Sequence, residues 1–105
     1  MEMINKVELQ GVVGAVRKTD IGKTSVVRFS VATDYTYVSR DGTPIVETTW
    51  HNCTAFADTN PDAENIKRAD NVRIKGRIRM QKYVDNNGID RTIPDIYVQE
   101  LKIIG

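Results

Sequence analysis

The sequence predicts an all-β domain: a five-stranded Greek-key barrel with one short helix between strands three and four and a long hairpin arm. Five runs of alternating apolar and polar residues supply the strands, and a single helix-start signature separates the third from the fourth. Two glycines inside the first run mark the bend that a small closed sheet needs. A chain of 105 residues supports one hydrophobic core, so residues 1–105 are expected to form a single domain.

The first strand begins with Lys6-Val7-Glu8-Leu9-Gln10 in strict alternation and bends through Gly11-Val12-Val13-Gly14. Turn chemistry at Asp20 and Gly22 returns the chain into a second strand, Ser25 to Thr33, with Val27, Phe29 and Val31 on one face and Arg28 and Ser30 on the other. Asp34 to Glu47 holds Tyr35, Tyr37 and an Asp41-Gly42 turn, which predicts the long hairpin arm. Thr48 to Phe56 is the third strand, with Trp50, Asn52, Thr54 and Phe56 expected outside and His51, Cys53 and Ala55 toward the core. Asn60-Pro61-Asp62-Ala63-Glu64 combines an N-cap residue, proline at the first helical position and first-turn acids. The helix it starts is expected to end near Ala69-Asp70-Asn71, with Lys67 and Arg68 in its last turn. In the fourth strand Val72, Ile74, Ile78 and Met80 alternate inward against Arg73, Lys75, Arg77 and Arg79. After an Asn87-Gly88 turn, Ile96 to Ile104 closes the barrel as strand five. Five strands with a helix after the third is the order of the OB-fold.

Composition excludes several functions. Hydrophobic residues are 40% and charged residues 28%, the mixture of a folded globular protein. No apolar run approaches the roughly 20 residues that span a bilayer and no secretory signal opens the chain, so a cytoplasmic protein is expected. The one cysteine and one histidine cannot form a zinc site, and Asp85, Asp90 and Asp95 lack the ligand spacing of a calcium loop. No metal or cofactor is expected, and no catalytic residue: Cys53 reads as a small buried hydrophobe and His51 as a packed side chain.

A net charge of only +1 leaves the distribution of charge to decide the partner. From Lys67 to Lys82 lie seven cations and one acid, Asp70, a local charge of +6. On a strand Arg73, Lys75, Arg77 and Arg79 form a row about 7 Å apart, near the spacing of phosphates in an extended nucleic-acid strand. Trp50 and Phe56 share a face, Tyr83 shares the face of the arginine row, and Tyr37 lies on the arm. Exposed rings stack unpaired bases whatever their sequence, while cations hold the backbone. The same row could instead hold an acidic protein or pair subunits, which makes a protein-interaction module the alternative.

The chain resembles the bacterial-type single-stranded DNA-binding protein family. The resemblance runs through Asn5-Lys6-Val7, Phe29-Ser30-Val31-Ala32-Thr33, Thr49-Trp50-His51 with Phe56, the run Val72 to Arg79 centred on Gly76, and Lys82-Tyr83. It implies an OB-fold that assembles as a homotetramer, or as a dimer in the related primosomal replication protein. It also implies protection of single-stranded DNA in replication, recombination or repair without a catalytic step. Stacking would fall on Tyr37, Trp50, Phe56 and Tyr83, and backbone contacts on Lys6, Lys67, Arg68, Arg79, Lys82 and Arg91. Tyr37 and Tyr83 stand where the family typically has tryptophan, Asp58 replaces a frequent cation, and Ala69-Asp70-Asn71 replaces the usual glycine after the helix. The sequence ends at Ile104-Gly105, where the family's flexible acidic tail would follow, so tail-mediated recruitment of repair proteins is not expected from this chain.

Overall fold

A computed structural model describes residues 1–105. Five strands close into a barrel in the order β1-β2-β3-β5-β4: β1 Val7–Ile21, β2 Thr24–Val38, β3 Pro44–Phe56, β4 Asn71–Val84 and β5 Asp90–Ile103. β1 closes the sheet because it has two partners. Val7 to Val12 pair with β4, and Val12 to Ile21 pair with β2. The register slips between Val13 and Val16, at the predicted bend, where Ala15 N–H turns to the Ser30 hydroxyl instead of a ladder carbonyl. Gly11 faces the Ala32 carbonyl so closely that a Cβ would lie 2.1 Å from its oxygen, so the curve needs glycine there. The seam is parallel, with Cys53 and Thr54 of β3 opposite Ile96 and Tyr97 of β5.

Val13, Val27, Phe29, Val31, Cys53, Ala55, Val72, Ile74, Ile96 and Val98 fill the barrel, and Ala63 and Ile66 plug its end. The connection between β3 and β4 corrects the sequence reading. The chain makes a single 3-10 helix, Pro61–Asn65, with no side-chain cap on its first turn and no cation in its last. Ile66 ends it in an extended conformation (φ −71°, ψ 143°) and is buried at 5% exposure. Burying such a side chain is worth about 1.5–3 kcal/mol, which favours dropping Ile66 into the core over prolonging a short helix. Lys67 and Arg68 therefore lie in a turn rather than on a helix. Asp70 N–H closes it on the Lys67 carbonyl, its third residue Ala69 sits at φ 77°, and the Asp70 carboxylate accepts from Lys67 N–H.

The barrel is also shorter than its strands. Beyond Gly76 β4 pairs only with β5, and past Ile78 the two run on as a two-stranded arm, so Ile78 and Met80, expected inside, are about half exposed or more. Thr54 lies on the outer side of β3 as expected, but Asp95 of β5 covers it and it is buried at 1%.

Candidate nucleic-acid interface

One sheet face carries most of the side chains of interest. β3 presents Trp50, Asn52, Thr54 and Phe56 outward, and the parallel seam continues that face onto Tyr97 and Asp95 of β5. The β4–β5 ladder extends it to Arg77, Arg79, Gln81 and Tyr83, opposite Tyr97, Asp95, Ile93 and Arg91. Trp50 is 60% exposed. Its indole lies over Gly14: a Cβ there would meet the ring at 2.5 Å, so the missing side chain makes the floor on which the ring lies.

Beside it, the Phe56 and Tyr97 rings meet at 5.8 Å, and the guanidiniums of Arg77 and Arg79 lie 4.9 Å and 5.1 Å from the Tyr97 centroid. Arg79 Nε donates to Asp95 Oδ2 at 3.1 Å, while the Thr54 hydroxyl donates to Asp95 Oδ1 at 3.2 Å. Asp95, buried at 4%, thus fixes one arginine and leaves the other without a carboxylate partner. Between this arm and the β1–β2 hairpin runs a cleft of about 480 Å³, with Arg17 and Arg28 on one bank, Asn52 and Thr54 on its floor, and Gln81 and Ile93 on the other bank.

The predicted row of four cations divides in two. Arg73 donates through Nε and Nη2 to Glu8, and this bond and charge hold the Glu8 carboxyl below its usual range. Lys75 lies 3.9 Å from Glu100. Only Arg77 and Arg79 reach the aromatic face. Lys6 precedes Val7, whose ladder partner is Gly76, and so lies next to Arg77. Arg91 is bound to Asp85 at 2.9 Å, Lys82 is on the opposite face of the arm, and Lys67 and Arg68 are in the turn behind the barrel end. Tyr83 is half exposed on the aromatic face. The unbroken β2–β3 register places Tyr37, opposite Ile45, on the other face of its ribbon from Trp50; it stacks 6.1 Å from Tyr35 and donates to Glu47 at 3.3 Å.

Sequence reading missed Tyr97, Arg17 and Arg28. Tyr97 has the parity of Asp95 on a strand whose outer face was not resolved into a partner for Phe56. Arg28 was already on the outer face of β2, but only the ladder shows it opposite Thr54.

The remaining reactive groups are committed elsewhere. Cys53 is buried, its thiol pushed up to about 12 by burial and then by the Asp95 charge, and it donates to the His51 carbonyl. His51 shares a 2.8 Å hydrogen bond with Thr33. Asp85 accepts from the Asn87 and Ile89 amides and from Arg91, which holds its carboxyl below the usual range.

A closed five-stranded barrel of this order, with exposed rings and two guanidiniums on one outer face, is an OB-fold. The chain belongs to the single-strand binding protein family, whose model matches residues 4–104. It is 38% identical to a "Single-stranded DNA-binding protein" of Neisseria meningitidis over 97% of its own length and 60% of the relative's. It is 36% identical to one of Bacteroides thetaiotaomicron, covering 96% of this chain and 66% of that one. The chain spans about 60% of the length of the first of these relatives. Among solved structures, a Plasmodium falciparum SSB complexed with ssDNA superposes with a TM-score of 0.84 at 20% identity, over 100% of this chain and 98% of that one. A small single-stranded DNA-binding protein from Streptomyces coelicolor gives 0.70 at 20% identity, over 97% and 96%. At that identity the likeness establishes the shared fold.

Proposed function

We propose that the chain binds and protects single-stranded DNA without reading its sequence, in replication, recombination or repair. Bases stack on Trp50, Phe56 and Tyr83, and phosphates are held by Lys6, Arg77, Arg79 and Arg91. The observation that carries this reading is the exposed indole of Trp50 in line with the Phe56–Tyr97–Arg77–Arg79 cluster. Rings open to solvent offer π faces that only unpaired bases can meet, and the guanidinium pair beside them is not fully neutralised by acids.

Tyr37, Lys67, Arg68, Arg73, Lys75 and Lys82 then contact the strand where it wraps round an assembly rather than on the central face. That assembly is a homotetramer, with a dimer as the alternative. It is favoured by the apolar back of the β4–β5 arm, where Ile78, Met80 and Val84 are half exposed or more. No helix is long and apolar enough to cross a membrane, and we place the protein in the cytoplasm with the nucleoid. Trp50→Ala is the test. Loss of one base stack costs about 1–3 kcal/mol, roughly 5- to 150-fold in affinity for oligothymidine. Unchanged affinity in a folded variant would remove the aromatic face from the reading.

A further inference from the structure

Arg17 and Arg28 are direct partners in the β1–β2 ladder, so their side chains leave the sheet on the same face within about 4.5–5.5 Å at Cβ. Like charges directly opposite destabilise a sheet. Neither guanidinium has an ion-pair or hydrogen-bond partner, although cations elsewhere on the barrel, such as Lys18 with Glu64 at 3.4 Å, do have one. Both line the cleft. The one acid in the cleft wall, Asp95, is buried and already holds Arg79 and Thr54.

From this juxtaposition we infer that Arg17 and Arg28 form a phosphodiester subsite on the bank of the cleft opposite Gln81 and Ile93. The inference rests on the single-strand reading and assigns the backbone a second anchor. Planar guanidiniums with free N–H forks suit phosphate oxygens, and one bound phosphate turns the repulsion between them into a bridge. A strand entering the cleft is then gripped by this arginine pair on one bank, and its bases pass over β3 toward Trp50 and Phe56, where Arg77 and Arg79 lie beside Tyr97.

The repulsion gives the subsite a signature that an ordinary surface charge lacks. Arg17→Gln, Arg28→Gln and the double variant are compared with Lys23→Gln, which removes one charge at the exposed hairpin tip outside the cleft. In the free protein the arginine variants should melt at or above the temperature of the unsubstituted chain. With oligothymidine, the double variant should bind roughly tenfold or more weakly. Its plot of log affinity against log salt should lose about 0.7 in slope for each phosphate released. Lys23→Gln should leave the slope unchanged. If the unsubstituted chain binds and the double variant matches it in affinity and slope, the subsite is refuted and the single-strand reading stands. Should the unsubstituted chain fail to bind oligothymidine at all, both fall.

Discussion

Ala69 occupies a left-handed position, φ 77°, as the third residue of the Lys67–Asp70 turn. An L-residue there costs about 1–2 kcal/mol relative to right-handed backbone, because Cβ crowds the following carbonyl. Glycine escapes that cost but has more unfolded-chain entropy to lose, about 0.4–1 kcal/mol. Ala69 is exposed, so no packing is forfeited by removing its methyl group. Ala69→Gly should therefore stabilise the domain by about 1 kcal/mol net, and for a chain of this size the melting temperature should rise about 4–8 °C. Ala69→Val, branched at Cβ, should move it the other way. Thermal unfolding followed by circular dichroism at fixed protein concentration reads both. A melting temperature for Ala69→Gly equal to or below that of the unsubstituted chain would refute the turn geometry.

Gly14→Ala should lift the Trp50 indole from its floor, shifting its emission to the red and weakening oligothymidine binding several-fold; an unchanged spectrum and affinity would mean the ring does not lie on Gly14. Cys53, with its thiol raised to about 12, should resist iodoacetamide at pH 8 in the native protein and react once unfolded in denaturant, so rapid native labelling would contradict its burial. Asp41 at the tip of the β2–β3 arm is lowered to about 2 by the Ser39 hydrogen bond and then those of Thr43. Because the folded value lies below the ordinary 3.8, the order of the tip is intact above that pH and is lost as pH falls through about 2. The Thr43 amide shift should titrate near 2, and a midpoint near 4 would show that the turn does not hold the carboxylate.

The five strands and the first-strand bend were legible because each rests on a local signal: alternation, turn residues, and glycines where backbones approach. The helix was overcalled for a reason that is not local. Asn60-Pro61 does start a helical turn, but the need to bury Ile66 ends it after five residues. The basic row was read correctly as outward over the barrel, yet its effective charge depends on acids far away in sequence: Glu8 takes Arg73, Glu100 takes Lys75 and Asp95 takes Arg79. Tyr37 and Trp50 were grouped by proximity along the chain, whereas the parity of an uninterrupted ladder sets them on opposite faces. Tyr97 became visible only through the parallel β3–β5 seam, a pairing that no short-range pattern encodes. The Arg17–Arg28 opposition likewise depends on the register after the β1 bulge.

Trp50 is the sole tryptophan, so its emission reports on the centre of the face without labelling. Titration with oligothymidine at low salt should quench it saturably, with added salt restoring the signal as phosphate contacts are lost. Emission that stays constant through saturation, while an independent method such as anisotropy of labelled DNA registers binding, would contradict the claim that bases stack on this ring.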